Sequence, residues 1–229
     1  MKIFSVISSF VILLLLSPLQ SAAVTINYAA GFPINPSYTW DSSSDQFVQV
    51  MDGLFGSGDI LTQVNGFVGE TETWYGNSAY SVILEEIAGY EYNTTFGWYE
   101  KNAHLTSNGG IFIGVDSNGD DANTILGGKY FGFYIDPNGN SSNRMYTEHA
   151  LNYNANYQVA IFQINNSMYD YLLAWEDLSL SGSTDRDYQD MILKVRVNPV
   201  PEPATMLLLG SGLVAFAGIG RKKFFNKKK

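Results

Sequence analysis

Tyr169-Asp170-Tyr171-Leu172-Leu173-Ala174-Trp175-Glu176-Asp177-Leu178, a Ser/Gly-rich turn over 179–184, and then Asp185-Arg186-Asp187-Tyr188-Gln189-Asp190-Met191-Ile192-Leu193-Lys194-Val195 form the stretch on which the reading of this chain turns. Two short runs of aromatic and aliphatic residues on either side of small polar ones read as the strands of a hairpin. Glu176 and Asp177 close the first run, and Asp185, Asp187 and Asp190 gather where the second begins, so pairing the strands brings five carboxylates into one neighbourhood. Carboxylates that close repel one another. A hard cation relieves the repulsion, and calcium, which takes six to eight oxygens in loose geometry, suits loop carboxylates and carbonyls. Asp185 and Asp187 face the same way in an extended segment, whereas Asp190 needs a turn to join them. The same acids can instead serve as turn formers and acceptors of backbone N–H groups that close the hairpin.

The same texture recurs outward from this hairpin. Tyr, Phe, Trp and Gly are abundant, with 14% aromatic residues and 22 glycines, and short aromatic or β-branched runs alternate with Gly, Asn, Asp and Ser clusters. Strands are expected over 46–51, 81–87, 96–99, 111–115, 130–135, 157–164, 169–175 and 191–197. Turns are expected at 117–120, 136–140 and 181–183. Many short strands spaced by turns predict an all-β fold, a single β-sandwich or jelly-roll-like domain. A second acidic loop, Asp116-Ser117-Asn118-Gly119-Asp120-Asp121, resembles the alternating oxygen ligands that open an EF-hand loop. Gly127 stands where the closing glutamate would be, so Asp116, Asn118 and Asp120 form a weaker metal candidate beside a plain hairpin turn.

Both ends differ from the body. Lys2, an apolar run over 3–16, and the small residues Ser21, Ala22 and Ala23 make a secretory signal peptide with cleavage expected before Val24. Pro201-Glu202-Pro203 leads into an uncharged stretch over 204–220, just long enough to span a bilayer as a helix. Arg221, Lys222, Lys223 and a triple lysine at 227–229 then hold the tail on the cytoplasmic side. The alternatives are an uncleaved N-terminal anchor and a plain C-terminal one. Of the 22 acidic residues only Glu202 lies outside 24–200, and only six of the 13 basic ones lie inside, so the body is about fifteen units negative. That balance disfavours nucleic acid and anionic lipid as partners and favours cations. There is no cysteine, which excludes disulfides, thiolate metal sites and a cysteine nucleophile.

The C-terminal residues resemble the PEP-CTERM sorting signal, in which a Pro-Glu-Pro tripeptide precedes a membrane helix and a basic tail. Pro201, Glu202, Pro203 and Arg221, Lys222, Lys223 carry the likeness. It implies processing by an exosortase-type transpeptidase in the inner membrane of a Gram-negative bacterium, after signal peptidase, and delivery to the cell surface or an exopolysaccharide matrix. The hairpin in turn resembles the domain of unknown function 4114 of bacterial exported proteins. Its signature is an aromatic-Glu-Asp triplet, a Gly-Ser loop and Asp-x-Asp-aromatic-x-Asp, here Trp175-Glu176-Asp177 and the run from Asp185 to Asp190. Weaker echoes extend the likeness over 80–197, although Tyr157-Gln158-Val159 stands where the pattern has a histidine. The resemblance implies a calcium-associated extracellular domain and no reaction.

The domain layout expected is therefore signal peptide 1–23, β domain 24–197, linker 198–203, transmembrane helix 204–220 and cytoplasmic tail 221–229. No catalytic residue is assigned. Neighbouring acids such as Glu85-Glu86 point to opposite faces of a strand, His104 and His149 are isolated, and the zinc-protease, nucleophile-elbow and phosphate-loop motifs are absent. The expectation is an exported structural or adhesive module rather than an enzyme, with calcium in its acidic loops. A lectin-like module using Trp40, Trp74 or Trp98 to stack on sugars is the alternative, and a glycan-active enzyme the remote one.

Overall fold

The computed structural model describes residues 23–32, 34, 46–56, 58–66, 71–86, 94–113, 119–139, 141–178, 186–200, 211 and 213. The expected signal peptide apart from Ala23, most of the expected membrane helix, the Pro-Glu-Pro tripeptide and the basic tail lie outside these residues, as do Asp116, Asn118 and Asp185. Among the described residues no helix is long and apolar enough to cross a membrane.

Among the described residues the strands are β1 (Thr25–Asn27), β2 (Ile60–Gln63), β3 (Trp74–Glu86), β4 (Thr95–Glu100), β5 (Asn108–Ile113), β6 (Asp121–Asp136), β7 (Met145–Tyr146), β8 (Val159–Ile164), β9 (Asp170–Trp175) and β10 (Met191–Asn198). All belong to one sheet in the order β1-β2-β8-β9-β10-β3-β6-β4-β5, with β7 added to β6. Among these strands β1 and β2 run parallel, and the other pairs are antiparallel. The β-rich expectation thus holds in a coarser form: one large sheet instead of the two of a sandwich.

The centre of the sheet is buried on both faces, which explains why β8 and β9 are almost continuously apolar. Successive side chains alternate between two cores. Val159, Ile161, Tyr171, Leu173, Trp175, Leu193 and Val195 join Trp74, Phe96, Phe131 and Phe133 on one face. Ala160, Phe162, Leu172, Ala174 and Ile192 meet Phe47, Val50 and Met51 on the other. The first core has no second sheet over it among the described residues, and it draws on strands from β8 to β5. Side chains two strands apart in the single sheet meet within it. Trp74 of β3 accordingly meets Tyr171 of β9 edge-on at 5.3 Å, although β10 lies between their strands.

The segment expected as a strand over 46–51 is instead the helix α1 (Phe47–Leu54). Its apolar residues Phe47, Val50, Met51 and Leu54 fall at i, i+3, i+4 and i+7, the spacing of one helix face, and that face covers the second core. β3 and β6 both begin well before the stretches expected. Gly127 and Gly128, at φ 67° and 76°, bulge out of β6 where its register with β3 shifts, so alternation across that point is lost. The expected turn at 136–140 is a 3₁₀ turn over Pro137–Gly139, closed by a two-pronged ion pair from Arg144 to Asp136 at 2.7 Å.

Candidate metal centre

β9 and β10 pair antiparallel with Trp175 opposite Met191, so the residues just beyond that pair, Glu176 and Asp190, face each other where the hairpin opens. Two aromatic anchors hold the opening. Trp175 is fully buried in the first core, and Tyr188 is fully buried in the second, where its hydroxyl donates to the Tyr157 carbonyl at 2.6 Å. Tyr188 and Arg186 both adopt the left-handed conformation, at φ 57° and 61°, which a non-glycine residue takes only at a cost of about 1–2 kcal/mol. That backbone supplies the turn by which Asp190 joins Asp187, whose Oδ1 accepts the Gln189 N–H at 3.2 Å.

The other side of the opening is fastened by Gln158, the residue before β8. The Glu176 N–H donates to the Gln158 carbonyl at 3.0 Å, and the buried Gln158 amide donates back to the carbonyls of Glu176 and Leu178 at 3.2 and 2.9 Å. The Asp177 N–H donates to Asp190 Oδ2 at 2.7 Å, tying the two acidic ends directly.

This scaffold places one carboxylate oxygen each of Glu176, Asp187 and Asp190 within 4.8 Å of one another. Glu176 is 0% and Asp187 1% exposed, and Asp177 is buried beside them. Burial, and then repulsion from Asp177, Glu176 and Asp187, push the Asp190 carboxyl well above the usual carboxylate range, against the opposing pull of the Asp177 N–H. Burial, with Glu176 adding, also raises the Tyr188 hydroxyl. The donors here are oxygens only, the set that suits calcium, magnesium or manganese. Two oxygens bound to one calcium at 2.3–2.6 Å can lie up to about 5 Å apart, so the observed spread fits a single ion of that size.

Of the acids expected in this loop, Glu176, Asp187 and Asp190 are brought together, Asp177 lines the adjacent cleft, and Asp185 lies outside the described residues. Asp120 of the second loop is exposed, and its carbonyl accepts the Ile83 N–H at 3.0 Å, a contact that continues the β3 pairing. His149 bonds Glu72 at 2.6 Å and stacks on Tyr157, while the His104 ring meets the rings of Tyr99 and Tyr146. Trp74 is a core residue and Trp98 is half-buried against the same core; Trp40 lies outside the described residues. Gln158 and Tyr188 were not expected as positioning residues. Their signal was local: a glutamine where the pattern has histidine, and an aromatic among aspartates.

Beside Asp177 opens a cleft of about 760 Å³, lined among others by His104, Asn143, Arg144, Tyr146, Tyr153 and Leu178. Tyr153 is 67% exposed and starts a turn in which Asn154 and Ala155 are left-handed, at φ 55° and 53°. The buried Asn152 pins that turn, with its amide donating to the carbonyls of Tyr146 and Asn156 at 2.9 Å and its Oδ1 accepting the Tyr146 N–H at 2.7 Å.

Residues 125–198 match a family described as a domain of unknown function, DUF4114. The match begins within β6, later than the expected 80, and contains every residue of the acidic cluster. Residues 199–222 match the PEP-CTERM protein-sorting motif. That motif implies export through a membrane-associated sorting step and processing by an exosortase. No curated protein and no solved structure matches the chain.

Proposed function

We propose that this is an exported, exosortase-processed β module whose hairpin opening binds a calcium ion, with a structural or adhesive and non-catalytic role at the bacterial surface or in its matrix. The observation that carries the reading is the convergence of Glu176, Asp187 and Asp190 within 4.8 Å at a buried position. Burying several carboxylates without a cation costs free energy through desolvation and mutual repulsion. Calcium offsets both. Because the ion binds the folded hairpin and not the unfolded chain, stability rises with its concentration, by about 2.7 kcal/mol at a hundredfold excess over the dissociation constant. Burial of Glu176 and Asp187 supports a structural over a catalytic role, since the paired acids of a glycosidase must flank a substrate bond. The test is thermal melting of the full-length chain with calcium and with chelator. Chelation lowers Tm, and Asp187→Ala abolishes the difference; superimposed wild-type curves would refute the reading.

The cleft favours a second reading, glycan binding. An exposed ring carried on a strained, pinned backbone turn offers a stacking surface, and the amide of Asn143, which lines the same cleft, can bond hydroxyls. Calorimetric titration with neutral oligosaccharides checks it: binding is expected and is lost in Tyr153→Ala, and heats no larger than dilution refute it.

A further inference from the structure

We infer that signal-peptide removal completes the fold, by converting a hydrogen bond between Val24 and Asp52 into an ion pair that fastens β1 and α1 to the sheet. The Val24 backbone nitrogen donates to Asp52 Oδ1 at 2.9 Å. Val24 is 8% exposed, with its side chain in the same core as Phe47, Val50 and Met51. The small residues Ser21 and Ala23 place the expected cleavage immediately before this nitrogen. The structure and the leader pattern therefore meet at one atom.

Hydrolysis of the Ala23–Val24 amide consumes one water and leaves a carboxylate on Ala23 and an amine on Val24. The amine takes up the released proton, because an α-amino group is ordinarily half-protonated only near pH 7.7–8.0. A neutral N–H donor thus becomes an ammonium already positioned against a carboxylate. Asp52 otherwise sits poorly: it lies in the last turn of α1, at the negative end of the helix dipole, and that turn holds no basic residue. The neighbouring Asp59 does not compete for the ammonium. Its carbonyl accepts the Thr25 N–H at 3.0 Å, while its carboxylate is engaged by Asn165 and the Gly56 N–H.

The consequence falls on a sheet edge. β1 is only three residues long and pairs with β2 from Thr25 opposite Ile60, so an ion pair one residue before it anchors the strand that covers that edge. Before cleavage the anchor is weaker, which leaves the precursor easier to keep unfolded during export.

The inference rests on cleavage before Val24, which the mass of the purified extracellular chain reads by itself. The α-amino group of the processed chain is expected to titrate above its ordinary range, read as labelling rate against pH, and to return to it in Asp52→Asn. Asp52→Asn is also expected to lower Tm by about 2–4 °C in the processed chain, and by clearly less in an uncleaved Ala23→Phe precursor. An α-amino midpoint that ignores Asp52→Asn, or equal Tm losses in both forms, overturns the ion pair. A terminus at another residue overturns the premise instead.

Discussion

Glu176→Gln is a nearly isosteric change whose effect should reverse sign with calcium. At an effective dielectric of about 20, two unit charges 4.8 Å apart repel by about 3.5 kcal/mol. Glu176 takes part in two of the three pairs in the cluster. Without a cation, burial and the neighbouring acids push the Asp190 carboxyl upward, which favours proton uptake there and eases the pair it makes with Glu176. The repulsion of a single such pair sets the scale, so neutralising Glu176 is expected to stabilise the chelated chain by up to about 3 kcal/mol, or up to about 6–12 °C in Tm for a domain of this size. With calcium bound the same change removes a charged ligand, so the gain from the ion shrinks or disappears. Melting of the full-length wild type and Glu176→Gln, each in calcium and in chelator, gives four curves. The expectation is that Glu176→Gln melts above wild type in chelator and gains little from calcium. If it melts below wild type by the same amount in both buffers, electrostatic crowding is not what governs this loop.

Gln158→Leu removes the amide that fastens the Glu176 and Leu178 carbonyls, and should cost about 2–3 kcal/mol and weaken calcium binding, read by melting and calorimetry. Tyr188→Phe leaves the Tyr157 carbonyl without its 2.6 Å partner and should cost about 1–2 kcal/mol in chemical denaturation, with the sheet unchanged by circular dichroism. Arg196, with its bidentate contact and mostly exposed side chain, holds the Asp170 carboxyl below the usual range. A lowered folded-state pKa contributes stability above the unfolded value, about 3.9, and loses it as pH falls further. Arg196→Gln should therefore lower Tm slightly at pH 7, by no more than the equivalent of about 1 kcal/mol, with the difference fading below about pH 4.

The hairpin was legible because its information is local. Short aromatic and aliphatic runs over 169–175 and 191–197 set two strands, and the turn residues between them bring the acids at their ends together. What escaped was non-local or ambiguous. Nothing within the β3 sequence says that Ser78 lies opposite Asn198, the pairing that makes one sheet where two were expected. Phe47 to Leu54 carries β-branched and aromatic residues at helical spacing, and there burial against Phe162 outweighed propensity. β1, β2 and β7 are four residues or fewer, too short for a period to register. In the site, the acids declared themselves by charge, whereas Gln158, Tyr157 and Tyr188 act through backbone carbonyls and burial, which composition does not reveal.

Trp175, directly before Glu176, offers the most direct test of the calcium site. Terbium, an oxygen-seeking ion close to calcium in its coordination, emits when a tryptophan within a few ångströms transfers energy to it. Titrated into the chelator-stripped full-length chain and excited through tryptophan, it is predicted to give saturable emission at one site, displaced by calcium and lost in both Trp175→Phe and Asp187→Ala. Emission that never saturates, or that survives Asp187→Ala unchanged, would contradict the assignment of the ion to this hairpin.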